Sequence, residues 1–282
     1  MIRLIPDWLL YIVVISAVVL LLFKLDQRAD APEALPESES AQLGAYLGPP
    51  TMYDPEILVE VGPASSGLGT AFAISSSGWW VTARHVVDDC DRVGLIVSNG
   101  QAVPVDDVKV ALFADLALVK TKQAPMPLAL DTSERHFQVG QRAYHVGFPQ
   151  GQPGEAYSRL LRRETLIARG RYNIEEPVLT WAELGRTANI DGSLAGISGG
   201  PALAANGQVI GVTVAESSRR GRIYTASPST LLRLLSVEQV QAEGSPAPRL
   251  TPENYGQEAD DLRRGLAVAQ VVCIAGGESP RS

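Results

Sequence analysis

From about residue 56 onward, short apolar runs alternate with turn residues, and this pattern limits the possible folds more than anything else in the chain. The runs read ILVEVG, GTAFAISSSG, VGLIVS, VKVALFA, LALVKT, RAYHVGF, PVLTWAEL, PALAA, QVIGVTVAE and RIYTAS, with scarcely any helical spacing among them. Segments so short and so regularly interrupted predict an all-β sandwich or barrel, because no crossover helices are available to build a parallel sheet. Asn206-Gly207 adds a two-residue hairpin signal, since both residue types tolerate positive φ.

After RIYTAS the period changes. STLLRLLSVEQV carries apolar residues at helical spacing, with Ser229 or Thr230 as N-cap. A second helix is expected from Thr251, and AVAQVVCI reads as a final strand carrying Cys273. At the other end, residues 8–23 (WLLYIVVISAVVLLLF) form an uncharged run which, with Ile5 and Pro6, approaches the roughly 20 residues a bilayer needs. The small-residue site Ala29 to Ala31 lies well past that run, so an uncleaved single transmembrane helix is favoured over a signal peptide. The flanking charges, Arg3 against Lys24 and Arg28, do not orient it. The expected organisation is an anchor at 1–26, a flexible Pro-, Ala-, Ser- and Glu-rich tether at 27–52, a β domain at 53–240 and a C-terminal extension of helix plus strand at 241–282.

Charge narrows the partners. With 24 basic against 31 acidic residues, a net charge of −7 and no basic run, the chain lacks what phosphate binding requires, and nucleic acid is set aside. Cys90 and Cys273 belong to no metal-ligand spacing. They are either two buried thiols or one disulfide stapling the C-terminal segment to the first half of the fold, and the latter requires an oxidising compartment.

Three stretches carry possible chemistry. GISGGPAL, residues 196–203, crowds three glycines and a proline around Ser198. A tight bend between strands would account for it, but so would a turn presenting the Ser198 hydroxyl to a base while the amides of Gly196 and Ser198 face a developing oxyanion. VTARHVV puts His85 where a strand ends, and the chain has only three histidines. FADLALVK opens an apolar strand with Asp115, where a carboxylate could fix the tautomer of an imidazole and stabilise its protonated form.

Taken in order, these stretches resemble the trypsin-like serine peptidases, and in particular the bacterial Deg/HtrA type. The resemblance rests on GTAFAISSSGWWVTARHVV, ADLALVK, HVGFPQG and GISGGPAL, spread over residues 67–215. It implies two packed six-stranded β-barrels with a C-terminal helix, His85 and Asp115 from the first barrel, Ser198 from the second, and the cleft between them. The implied activity is a membrane-anchored serine endopeptidase acting on polypeptides outside the cytoplasm, single-pass in the inner membrane, in protein quality control or processing and without metal or cofactor. A catalytically silent barrel that holds peptides or a membrane partner is the alternative. Ile197 stands where the digestive branch carries an aspartate and the Deg type an asparagine, which excludes activation through an ion pair with a newly cut amino terminus. The specificity pocket is expected around Asp191 and Gly192, with Val212, Thr213 and Val214 on the neighbouring strand, favouring an aliphatic side chain. Deg-type enzymes usually carry PDZ domains after the protease, and the residues beyond 240 are too few for one.

Overall fold

A computed structural model describes residues 43–97, 100–131, 137–188 and 190–276. The apolar run at 8–23 and most of the tether lie outside them, and no helix among the described residues is long and apolar enough to cross a membrane. The first sheet runs in the order β5 (Ala102–Pro104), β4 (Arg92–Ile96), β14 (Val268–Ile274), β2 (Gly67–Ser75), β3 (Trp79–Thr82), β7 (Ala117–Lys120) and β6 (Asp107–Val110). The second runs β1 (Glu56–Val61), β9 (Gly154–Gly170), β10 (Ile174–Arg186), β13 (Arg222–Ala226), β12 (Val209–Ser217), β11 (Pro201–Leu203) and β8 (Arg142–Gly147).

Each sheet therefore has seven strands rather than the expected six. In the second, pairing of β8 with β9 closes a ring of six, and β1 lies outside it, parallel to β9. In the first, the additional strand is β14, inserted between β2 and β4 and antiparallel to both, and among the described residues its end strands β5 and β6 do not pair with each other, so this is an open barrel and not the closed one expected. The C-terminal strand is thus part of the first sheet and not an appendage to it. The disulfide between Cys90 and Cys273, whose Cα atoms are 5.6 Å apart, closes the same connection covalently. Residues 43–48 are likewise fixed to the second sheet, since Gly44 and Leu47 donate to the carbonyls of Val139 and Phe137 and Arg163 donates to Gly48 O.

The alternation of β2 explains how one strand serves two cores. Phe72 and Ile74 point to one face, where they join Tyr144, Val146 and Tyr157 of the second sheet. Ala71 and Ala73 point to the other and pack with Trp80, Leu95 and Val271 inside the first barrel. A third cluster around Trp181, Leu160 and Ile223 fills the second barrel. The shared core between barrels is sealed by α2 (Pro228–Val237), through Leu231, Leu234 and Leu235, and by α3 (Tyr255–Arg264), through Tyr255, Ala259 and Leu262. Each large apolar side chain buried there contributes about 1.5–3 kcal/mol, so the contact between the barrels is itself an apolar core.

Local details differ from expectation for identifiable reasons. The N-cap of α2 is Ser227, two residues before Ser229 and three before Thr230: its hydroxyl accepts from Thr230 N, and Pro228 occupies the first turn, where no donor is needed. Helix α3 begins at Tyr255 instead of Thr251, because Thr251–Asn254 is consumed by a turn closed on the Asn254 side chain. In the Asn206-Gly207 turn only Gly207 takes a positive φ, and a register shift follows between Ala202 and Leu203, the bulged form of the hairpin.

Candidate active site

Strand β3 ends at Thr82, and the chain turns through Ala83 into a single helical turn, α1 (Arg84–Val87), that carries His85. Asp115 sits in the connection just before β7, buried, and reaches back to that turn twice. Its Oδ1 accepts the amide of His85 at 2.9 Å and its Oδ2 lies 2.7 Å from His85 Nδ1, while Arg84 N donates to the Asp115 carbonyl. The two-point hold fixes both the position and the rotation of the imidazole, and with Nδ1 donating to the carboxylate, Nε2 is left as the acceptor. The His85 side chain is 31% exposed and that of Asp115 7%, so the pair meets solvent mainly through the imidazole. Burial, the largest influence on His85, lowers its pKa, but the charge and hydrogen bond of Asp115 together outweigh this and the opposing charge of Arg171, leaving the pKa above its ordinary value.

Ser198 arrives from the second barrel on the turn before β11, and Thr70 of β2 receives it. Thr70 N donates to Ser198 O at 2.9 Å, Thr70 Oγ1 donates to Gly196 O at 2.7 Å and accepts from Phe148 N, and Thr70 O accepts from Thr82 Oγ1. Gly199 follows with φ +87, and a Cβ there would run into Thr70 O, Thr82 Oγ1 and Ala83 N. The serine turn is therefore packed directly on the end of the strand that leads to His85. Gly196 has φ +100, and its carbonyl and the carbonyl of Ala195 are both taken up, the latter by Gln150 N. Among the described residues the amides of Gly196 and Ser198 donate to no acceptor. Two unpaired N–H groups on one glycine-rich turn are donors free to receive an anionic oxygen.

The Ser198 hydroxyl and His85 Nε2 are not hydrogen-bonded to each other; among the described residues neither has a partner. Such bonds are often loose without substrate and tighten in the complex.

Ile197, the departure from the family pattern, is fully buried with Leu194, Leu160 and Trp181 in the core of the second barrel. An apolar anchor thus holds the loop at the position where the resembled branches carry an aspartate or an asparagine. Gln150 holds the same loop from the other side, its side chain donating to the carbonyls of Asp191 and Ser193.

Of the expected pocket residues, Asp191 and Gly192 are exposed, and Gly192 O accepts from Arg186. Val212 and Val214 are buried in the inter-barrel core, and the Thr213 hydroxyl contacts buried His145. Sequence reading did not single out Glu216, whose carboxylate accepts from Ser193 Oγ at 2.6 Å and so joins the two segments. Nor did it find Thr70, Gln150, Tyr172 or Glu176.

Glu176 of β10 is buried, and its Oε1 accepts from Asp115 N at 2.8 Å. Burial first, and the Asp115 charge second, push its pKa up to about 8. In the unfolded chain the carboxyl ionises near its ordinary 4.5, so between about 4.5 and 8 the folded state binds more proton than the unfolded state and stability falls as pH rises. Glu176→Gln keeps the acceptor for Asp115 N and removes the titration. The expected result is a thermal midpoint several degrees above wild type at pH 8, converging with it near pH 4.5; parallel profiles would refute this role for Glu176.

Residues 69–212 match the family described as the trypsin-like peptidase domain. This chain belongs to that family. Curated relatives include a "Probable periplasmic serine endoprotease DegP-like" of Chlamydia pneumoniae, 30% identical over 54% of this chain and 30% of the relative. A protein of the same description from Chlamydia trachomatis is 29% identical over 62% of this chain and 34% of its own length. The chain therefore spans about a third of the curated relatives it matches. Among solved structures, the active form of the Rv3671c protease from M. tuberculosis superposes with a TM-score of 0.50 at 17% identity, covering 71% of this chain and 96% of that one, a likeness of fold.

Proposed function

We propose that the chain is a serine endopeptidase that cleaves polypeptides through Ser198, His85 and Asp115, with the amides of Gly196 and Ser198 as oxyanion donors. The observation that carries this reading is the double hold of Asp115 on His85 beside a serine turn whose two amides are unpaired. A serine hydroxyl is a weak nucleophile at neutral pH. His85 Nε2 takes its proton as Oγ attacks the scissile carbonyl, and the imidazolium that forms is stabilised by the Asp115 carboxylate. The carbonyl oxygen gains negative charge and is met by the two amides, a contribution of about 3–4 kcal/mol per donor to the transition state. Imidazolium then protonates the leaving amine, the acyl-enzyme remains on Ser198, and a water activated by the same His85 releases it.

Disulfide-bonded Cys90 and Cys273 fit an oxidising compartment, and the curated relatives are described as periplasmic. We therefore place the barrels outside the cytoplasm, tethered by residues 8–23 as a single-pass inner-membrane anchor. A second reading, a silent barrel that binds peptides or a membrane partner without cutting them, draws on the missing Ser198–His85 hydrogen bond. Incubating the full-length protein with fluorescently labelled unfolded casein separates the two. Endopeptidase action yields peptides with new amino termini, blocked by a fluorophosphonate, whereas intact casein retained by the protein would favour the silent barrel.

A further inference from the structure

The His85–Asp115 pair belongs to the first barrel, yet three of its contacts come from one short stretch of the second. Residues 171–176 join β9 to β10 and begin the latter. From this stretch the Tyr172 hydroxyl donates to Asp115 Oδ1 at 2.7 Å, Glu176 Oε1 accepts from Asp115 N at 2.8 Å, and Arg171 Nη2 donates to His85 O at 2.9 Å. Tyr172 is buried and its ring is clamped, with the Arg84 guanidinium 4.0 Å from the ring centroid on the first barrel's side. Asp115 Oδ1 thus accepts from both the His85 amide and the phenol, while Oδ2 faces the imidazole. Hydrogen bonds to a carboxylate are the strong ones, and a buried carboxylate that loses one is left poorly compensated.

We propose, on the strength of the peptidase reading above, that Tyr172 is a positioning residue of the catalytic pair: its phenol fixes the carboxylate that orients His85, so the site is complete only while the β9–β10 hairpin is docked on the first barrel. The phenol does not touch substrate. It acts by drawing charge from Oδ1 and by preventing the carboxyl group from rotating, which keeps Oδ2 aimed at Nδ1. The other titratable or charged groups facing the pair are Glu176 and Arg171 from the second barrel, and Arg84, itself paired with Asp88, from the first.

The test uses the full-length protein and the second-order rate of fluorophosphonate labelling of Ser198 between pH 5 and 9, which reads the basicity of His85 without knowledge of the natural substrate. Tyr172→Phe preserves the ring and removes the donor. The expected result is a rate about tenfold lower on the alkaline plateau, with the acid limb moved to higher pH, because a carboxylate relieved of its second donor holds imidazolium more strongly. Should Tyr172→Phe fold poorly, 3-fluorotyrosine in place of Tyr172 keeps the shape and makes the hydroxyl a stronger donor, and the acid limb should move to lower pH. A merely structural role would lower the folded fraction and leave the midpoint of the acid limb where it was. An unchanged midpoint and plateau in folded Tyr172→Phe, or shifts in the same direction for both substitutions, overturns the proposal. Wild-type protein that is never labelled at Ser198 would instead overturn the peptidase reading on which it rests.

Discussion

Ser198→Ala should abolish casein cleavage, with kcat falling by about 10⁴–10⁶-fold while unfolded casein still binds, because the substitution removes the attacking oxygen and leaves the cleft intact. His85→Ala should cost a similar factor, and the double variant should be no worse than either single one. That non-additivity is the mark of residues acting in one step: once the base is gone the hydroxyl is only a hydroxyl, and once the hydroxyl is gone the base has no proton to take. The pH dependence has a defined sign. Catalysis needs neutral His85, whose pKa lies above its ordinary 6.5, so kcat/KM should rise with pH through a midpoint above 6.5. Losses of tenfold or less in both single variants, adding in the double variant, would mean that these residues do not work as a unit.

The second large effect concerns stability. The Cys90–Cys273 disulfide closes a loop with a sequence separation of 183 residues. In the chain-entropy account a cross-link of that span withholds much freedom from the unfolded state, and replacing both cysteines by alanine should cost about 3–5 kcal/mol. The location sharpens the expectation. Cys90 follows α1 closely, and Cys273 lies on β14, the strand that completes the first sheet between β2 and β4. Loss of the link should therefore loosen β14 before the second barrel, visible as early hydrogen exchange at Val271 and Val272 ahead of Ile210 and Ile223. A thermal midpoint unaffected by reductant, in protein whose thiols are then shown to be free, would contradict this.

The mostly β character of the chain and the three residues proposed as the triad were legible because each lies in a local pattern: His85 at a strand end, Asp115 opening an apolar strand, and Ser198 in a glycine turn. What it concealed is instructive about why. Strand β9, at 17 residues the longest of the described strands, was missed because its charged residues Glu155, Arg163 and Glu164 break the apolar alternation. All three are buried, and they tolerate it through partners distant in sequence: Glu155 pairs with Arg263 of α3, Glu164 accepts from Thr180, and Arg163 donates to Gly48 O. Missing β9 also hid the β9–β10 hairpin, and with it Tyr172 and Glu176, whose roles come only from contact with the opposite barrel. Thr70 escaped notice for a similar reason. In sequence it is one residue of GLGTAFAIS, yet in the fold its hydroxyl and amide hold the serine turn. The seventh strand of the first sheet was legible as a strand in AVAQVVCI, but its insertion between β2 and β4 is a long-range pairing that no local period encodes.

Activation of Ser198 by His85 in the folded protein is the step on which the proposed peptidase activity depends. Mass spectrometry of the full-length chain after exposure to a fluorophosphonate tests it most directly. One covalent adduct is expected, on the peptide containing Ser198, absent after heat denaturation and reduced to background in His85→Ala. No adduct on the folded wild-type chain, or equal labelling of wild type and His85→Ala, would contradict it.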